Sequence, residues 1–182
     1  NYMNTGKAVR WWLVRFRTWQ MRRRVRAMER RADVVVCNPA SAQFLALPFV
    51  NWFAVGMPTT TDPAQTHRSS SSGPVRAVHA PSRPSAKGTA KILEAVAQTE
   101  GGMTLEVLTG VSNSKVQESL AGCDVVLDEC FSDTPIAGLG AEAAAKGIPA
   151  FTFGYAGTDL DHYFRAFGIP HEQFATPEDL VA

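Results

Sequence analysis

The stretch that decides the fold is Glu142-Ala143-Ala144-Ala145-Lys146-Gly147-Ile148-Pro149-Ala150. Its small residues favour a helix, and the Gly-x-Pro step ends that helix before an apolar run begins. The preceding residues, 132–140, are rich in Gly and Pro, so their backbone N–H groups can approach a ligand closely. We therefore predict a helix that follows a ligand-binding loop and leads into a strand, and a helix N-terminus of this kind attracts phosphate.

Helices and strands alternate from residue 75 up to this stretch. The sequence predicts strands at 75–79, 104–108, 124–128 and 150–153, and helices at 89–98, 114–121 and 136–146. Elements that alternate in this way form a parallel sheet covered by helices. The predicted fold class is therefore α/β, a doubly wound Rossmann-like parallel sheet, in which ligands bind between the loops at the carboxyl ends of the strands.

The part of the chain before residue 75 has a different organisation. Residues 7–31 predict a long helix, because apolar side chains recur at three- and four-residue spacing without Gly or Pro. A buried strand is predicted at 32–37, and the later Thr, Ser, Pro and Gly residues are typical of a flexible connector. The expected domains are the end of an incomplete domain at 1–58, a linker at 59–74 and the Rossmann-like domain at 75–182.

Composition narrows the class of protein. The 182 residues are 45% hydrophobic, which is enough for a core. The sequence has no apolar run of about 18 residues and no signal-peptide pattern, and Cys37, Cys123 and Cys130 lack metal-site spacing. We expect a cytoplasmic protein with reduced cysteines. Because the chain starts at Asn1 and stops inside a helix-start pattern at 176–180, we also expect both ends to be cut from something longer.

The net charge of +1 conceals a basic, aromatic helix at 7–31, where Glu29 is the one acid among many arginines. Arginines interleaved with Trp11, Trp12, Phe16 and Trp19 are suited to an anionic membrane surface. The alternative is a helix that packs its rings on a missing first domain. A third interpretation is an RNA- or nucleotide-binding module led by this helix.

The loop after the first predicted strand of the Rossmann-like domain contains Arg83 and Lys87 together with several hydroxyl groups. Two cations at a strand-to-helix turn are suited to a diphosphate. The P-loop spacing and the Gly-x-Gly-x-x-Gly motif are both absent, so neither a P-loop NTPase nor an ordinary dinucleotide oxidoreductase is favoured. His79, at the end of the strand, is interpreted as a hydrogen-bonded structural residue, with a catalytic role as the alternative.

Five segments of this domain resemble the family-4 glycosyltransferases in order and spacing. They are His79-Ala80-Pro81-Ser82, Lys87-Gly88-Thr89, Gly110-Val111-Ser112, the run 121–128 and the run 142–149. The resemblance covers 73–182 well and 20–60 weakly. It implies the GT-B fold of two facing Rossmann-like domains and transfer of a sugar from a nucleotide-sugar donor with retention of configuration, generally without a metal or other cofactor.

The resemblance also implies roles for particular residues. Arg83 and Lys87 are similar to the cations that neutralise the donor diphosphate, and Glu142 is similar to the ribose-binding second acid of a Glu-x7-Glu motif. These three are the implied catalytic residues. The first acid of that motif would fall at position 134, where this chain has Thr134. The implied donor-binding residues are Thr134 and Glu142, together with the backbone at Gly110, Val111, Gly138, Leu139 and Gly140.

The favoured function is therefore a retaining glycosyltransferase, a hexosyltransferase that moves a sugar from a nucleoside-diphosphate-sugar donor to a glycan or lipid-linked acceptor. Its expected location is cytoplasmic, or peripheral on the inner membrane face, and a partner chain completes the fold. One alternative is a non-catalytic GT-B-like binding or assembly subunit. A carboxylate cluster of Asp124, Asp128, Glu129 and Asp133 is a weaker candidate, for metal binding.

Overall fold

The structure, a computed structural model, describes residues 10–56, 73–132 and 137–154. The chain divides into two compact units, residues 1–57 and residues 58–182. Most of the predicted linker, the position of Thr134 and everything after residue 154 lie outside the described residues.

The described part of the first unit begins with the long helix that the sequence predicts, whose predicted residues 7–9 lie outside the described residues. Helix α1 spans Trp11–Glu29. Its half-buried residues include Val14, Thr18 and Val25, which recur on one side of the helix, and the buried Glu29 continues that side. The carboxylate of Glu29 accepts hydrogen bonds from the backbone N–H groups of Ala46 and Leu47, at 2.9 and 3.0 Å. The one acid of the helix therefore faces inward.

The strand after α1 is shorter and more exposed than predicted. Strand β1 is Val36–Cys37, and it pairs in parallel with β2, Val50–Asn51. A 3-10 helix, Pro39–Phe44, lies between them, and the short helix α2, Trp52–Val55, follows β2. The prediction of a buried strand at 32–37 is wrong, because this run has only a two-residue partner strand and Val36 is 54% exposed.

The second unit contains a parallel four-stranded sheet flanked by helices, which confirms the predicted α/β class and its Rossmann-like arrangement. Its strands are β3 (Val75–His79), β4 (Met103–Val107), β5 (Val125–Ser132) and β6 (Ala150–Gly154). They lie in the order β4-β3-β5-β6, and all neighbouring pairs are parallel.

The helices of this unit are α3 (Pro84–Lys87), α4 (Thr89–Ala97), α5 (Asn113–Ala121) and α6 (Gly138–Ala145). Two apolar clusters hold them on the sheet. Ile92 of α4 packs with Ala77, Val125 and Leu127, whose side chains alternate with those of the second cluster along the strands. The second cluster joins α5 and α6 to the other face through Val78, Leu120, Cys123, Val126, Ala143 and Ile148.

Gly88 separates α3 from α4 in a left-handed conformation, with φ of 73°. A Cβ at this position would lie 2.5 Å from the Cβ of Cys130 and 3.1 Å from a ring carbon of Phe131. The glycine therefore both turns the chain and lets it pass close to β5. The sequence predicted a loop up to Gly88 and one helix after it, whereas Pro84 starts an additional helical turn.

Strand β5 extends four residues beyond its predicted end at Asp128. Leu127 pairs with Phe151 and Glu129 with Thr152, so Asp128 is an extra residue with no register partner in β6. A bulge of this kind bends a strand and redirects its side chains, and it often lies beside a functional site.

Candidate functional site

The candidate site lies where β3 and β5 end side by side. From β3 the chain crosses to β4 at one edge of the sheet, and it then returns past β3 to β5. Adjacent strands whose connections leave in opposite directions form a crevice at their carboxyl ends, which is where open α/β sheets bind ligands. The segments that follow β3 and β5 contain Lys87 and the N-terminus of α6.

Lys87 forms two ion pairs at this crevice. Its Nζ lies 3.3 Å from Oδ1 of Asp128 and 2.5 Å from Oε2 of Glu129. The Lys87 side chain is 20% exposed, whereas that of Asp128 is 2% exposed. The ammonium group is therefore paired with two carboxylates, while the lysine side chain as a whole is partly exposed.

The ionisation of this group follows from burial and charge. Burial alone would lower the pKa of Lys87, but the nearby carboxylates of Asp128 and Glu129 outweigh it and raise the pKa. Burial raises the pKa of Asp128, and the Lys87 ammonium only partly opposes this effect. Lys87 is therefore cationic at neutral pH, and Asp128 takes up a proton more readily than an exposed aspartate does.

The same Asp128 carboxylate also binds the start of α6. Its Oδ2 accepts a hydrogen bond from the backbone N–H of Gly140 at 3.1 Å. Ala137, at the N-cap position, supplies no side-chain cap to this helix. Asp128 thus supplies from β5 the negative charge and the acceptor that a helix N-terminus favours. One carboxylate bridges the Lys87 ammonium and an amide at the helix N-terminus.

His79 connects the same strand ends in the interior. Its Nε2 lies 2.8 Å from Oγ1 of Thr89, and its Nδ1 lies 2.7 Å from the carbonyl oxygen of Leu127. Since a carbonyl only accepts, Nδ1 carries the proton and Nε2 accepts from the Thr89 hydroxyl. Burial lowers the pKa of His79. The structure therefore gives His79 the two hydrogen bonds of the predicted structural role.

Glu142 lies in the second turn of α6. Its Oε2 accepts a hydrogen bond from the side-chain amide of Gln117 in α5, at 2.6 Å. One carboxylate oxygen therefore has a partner within the protein. Glu142 as a whole is half-buried, so it is partly exposed to solvent. Glu142 is linked to Lys87 through the start of α6. Gly140, two residues before Glu142, donates its backbone N–H to the Asp128 carboxylate, which also pairs with Lys87.

The other described site residues lie on the segments that follow β3, β4 and β5. Arg83 is exposed at the N-cap of α3, one turn before Lys87, and its carbonyl accepts the Lys87 N–H at 3.0 Å. Gly110 and Val111 are exposed in the loop between β4 and α5. Gly138 is exposed at the start of α6, Leu139 is half-buried and Gly140 is buried. The residue at 134 lies outside the described residues.

The predicted carboxylate cluster is divided between the start of β5 and its middle. Asp124 lies just before the strand, where its Oδ2 accepts hydrogen bonds from the backbone N and from Nε of Arg76, at 2.8 and 3.3 Å. Asp128 and Glu129 instead neutralise Lys87, and Asp133 is not described. Within the described ranges, no group of three or more His, Cys, Asp or Glu side chains is placed to bind a metal ion.

The same unit has a groove that is separate from the candidate site. It has a volume of about 460 Å³ and lies between β4, β3 and α5. Arg76, Glu106, Lys115 and Glu118 contribute charged groups of both signs to its lining. Its lining residues do not include Lys87, Asp128 or the start of α6.

The sequence prediction lacks the ion pairs of Lys87 with Asp128 and Glu129. Two further contacts of the site are also absent from it: the capping of α6 by Asp128 and the hydrogen bond from Gln117 to Glu142. An aspartate at a predicted strand end was the available signal for the first contact. The second depends on how α5 and α6 lie beside each other, and no spacing in the sequence indicates it.

Comparisons of the chain with protein-family models, with curated proteins and with solved structures found no match. In the parts of the chain that the structure describes, no helix has the length and apolarity required to cross a membrane.

Proposed function

We propose that the second unit is the donor-binding domain of a retaining glycosyltransferase of the GT-B type, with the crevice between β3 and β5 as its nucleoside-diphosphate-sugar site. Lys87 and Arg83 bind the diphosphate, the start of α6 contributes backbone amides, and Glu142 accepts hydrogen bonds from the ribose. The acceptor is a glycan or a lipid-linked sugar, and the reaction takes place in the cytoplasm or at the inner membrane face.

The observation that supports this proposal most directly is the shared carboxylate of Asp128. Lys87 Nζ and the Gly140 N–H both reach it, at 3.3 and 3.1 Å. A cation and a helix N-terminal amide are therefore separated by the width of one small anionic group, at the switch point of the sheet. Anionic oxygens of a diphosphate have the size and charge that this pair of donors binds.

The net charge of Lys87 and its two acidic partners indicates that binding of a diphosphate requires a second cation. Lys87, Asp128 and Glu129 together carry one net negative charge when all three are ionised. Arg83, one turn earlier and exposed, supplies a further positive charge at the same loop. In the transfer step, the sugar's bond to the diphosphate breaks as its bond to the acceptor oxygen forms, and the two cations, Lys87 and Arg83, stabilise the negative charge that develops on the leaving diphosphate.

Titration calorimetry with UDP and GDP tests the donor site. We expect Lys87→Met to weaken binding at least about tenfold, because a charge-assisted hydrogen bond contributes about 1.5–3 kcal/mol. Lys115→Met is the matched control, since Lys115 is an exposed lysine of α5 that pairs with Glu118. Equal affinities for the two variants, with both folded by circular dichroism, would contradict the proposal, as would no binding of either nucleotide to the unmodified chain.

A second pair of variants tests the ribose contact. Glu142→Gln removes the charge that accepts the ribose hydroxyls, whereas Gln117→Ala removes only the protein partner of Glu142. We expect the first variant to weaken UDP or GDP binding several-fold and the second to retain it. A loss in both variants would mean that the contact between α5 and α6, rather than a ribose contact, controls affinity.

The second candidate function is a non-catalytic binding or assembly subunit with the same fold. It is favoured by the fact that Lys87 and Gly140 already have a protein partner in Asp128. The absence of an acid at position 134 agrees with it. Sugar transfer or donor hydrolysis by the chain, measured with and without a complete partner domain, separates the two functions, because a subunit of this kind binds donor without turnover.

A further inference from the structure

Helix α1 has an exposed aromatic face. Trp12, Phe16 and Trp19 are 64%, 50% and 52% exposed. Their spacing of four and three residues places them on one side of the helix, close to opposite the half-buried side that contains Val14, Thr18 and Val25. The rings are therefore on the side that the first unit leaves uncovered in the described residues.

Arginines border these rings along the helix. By the same helical geometry, Arg15, Arg22 and Arg26 lie along one border of the aromatic face, and Arg23 and Arg30 continue its line toward the C-terminus. The one acid of the helix, Glu29, is buried and bound to two backbone N–H groups. The exposed charge beside the rings is therefore entirely positive.

We propose that this face of α1 binds an anionic lipid bilayer, lying parallel to its surface. The rings would enter the headgroup region, and the arginines would bind lipid phosphates. Long arginine side chains can extend from the helix to the phosphate level while their apolar stems remain beside the rings. The strong positive charge is complementary to the negative surface of such a bilayer.

The contacts of Trp19 favour a bilayer over a nucleic acid. Its ring stacks on Phe16, with centroids 6.0 Å apart and an interplanar angle of 25°. The guanidinium carbon of Arg23 lies 4.9 Å from the centre of the same ring. Single-stranded nucleic acids are bound by rings with a free face on which a base stacks. The Trp19 ring already contacts Phe16 and Arg23. A cluster of stacked rings of this kind is suited to insertion into a membrane interface.

Co-sedimentation of the full chain with vesicles tests this proposal. One set of vesicles is phosphatidylcholine alone, and the other is phosphatidylcholine and phosphatidylglycerol in equal parts. We expect binding to the anionic vesicles only, with a loss at high salt because screening weakens the charge attraction. Equal partitioning to both sets, or no partitioning to the anionic set, would overturn the proposal.

Matched variants of α1 locate the bound face. Trp12→Ala/Phe16→Ala/Trp19→Ala removes the rings, and Met21→Ala/Met28→Ala removes two side chains that are 48% and 70% exposed on another side of the helix. We expect the first variant to lose at least about tenfold in vesicle binding and the second to retain it. Equal losses in the two variants would overturn the proposed face.

A pair of arginine variants tests the contribution of charge to vesicle binding in the same way. Arg15→Gln/Arg26→Gln acts beside the rings, and Arg17→Gln/Arg24→Gln removes the same charge from the far side of the helix. Two arginines near a bilayer contribute about 2 kcal/mol, so we expect a loss of roughly 30-fold for the first variant and a much smaller loss for the second. Binding to a single-stranded RNA oligonucleotide that depends on the rings, without binding to anionic vesicles, would assign the face to RNA instead.

Discussion

Asp128 contributes at the residue scale to both stability and the candidate site. It has no register partner in β6, and its carboxylate contacts Lys87 and the N–H of Gly140. Removing Lys87 leaves a buried carboxylate without its main cation, which is far more costly than removing both charges together. The pair therefore has a structural role that must be separated from ligand binding.

A double-mutant cycle measures that structural role. We expect Lys87→Met to lower the free energy of unfolding by about 3 kcal/mol. Adding Asp128→Asn to this variant removes the unpaired charge, so the double variant is expected to be more stable than the sum of the two single changes predicts. Urea unfolding of all four proteins gives the coupling energy, and strictly additive values would contradict the ion pair.

His79 provides a prediction about pH. Its pKa in the folded protein is lowered by burial below the ordinary value of 6.5, so the unfolded chain binds more protons between these two values. Stability from this residue is present above pH 6.5 and is lost as the pH falls toward its folded pKa. Each proton changes the slope by at most about 1.4 kcal/mol per pH unit.

Urea unfolding between pH 5 and pH 8 compares the unmodified protein with His79→Gln, which retains hydrogen-bonding capacity. All other titrating groups are common to the two proteins. We expect the unmodified chain to lose more stability on acidification than the variant does. Parallel curves would show that His79 does not titrate differently in the folded and unfolded states.

At the element scale, the junction of α3 and α4 depends on Gly88. Both its φ of 73° and its closeness to Cys130 oppose any side chain. Gly88→Ala is expected to destabilise the protein by about 2–5 kcal/mol, the sum of left-handed strain and overpacking. Gly101→Ala is the control, because Gly101 has φ of 88° but open space around its position.

Thermal and urea unfolding of these two glycine variants separates strain from contact. Gly101→Ala is expected to cost only the strain, about 1–2 kcal/mol. If Gly88→Ala is no more costly than Gly101→Ala, then α3 and α4 do not pack against β5 as described.

The elements differ in how far the sequence determines them. The helix at 11–29 and the four strands of the sheet follow from local periodicity, and the structure gives them within a few residues of their predicted bounds, except at the end of β5. The bulge at Asp128 depends on pairing with β6, which is distant in sequence. The run at 32–37 shows the converse error, because β-branched residues predict a strand but do not supply a sheet to bury it.

At the scale of the whole molecule, the sequence predicted the α/β class and the edge of the sheet at which Lys87 lies. It could not predict the partners of Lys87 and Glu142, because the contacts with Asp128, Glu129 and Gln117 require the packed arrangement of β5, α5 and α6. The glycosyltransferase function and the membrane-binding surface remain proposals, and they concern different units of the chain. Failure of vesicle binding would leave the donor site unaffected, and the reverse also holds.

The most direct test of the central claim is an NMR titration of backbone amides with UDP and GDP. If the crevice between β3 and β5 binds the diphosphate, the largest shifts will occur at Lys87, Gly88 and 138–140, with Gly110 and Val111 also affected. The opposite result would be shifts centred on the groove lined by Arg76, Glu106 and Lys115, or no shifts at all. Either outcome would contradict a donor site at the switch point of the sheet.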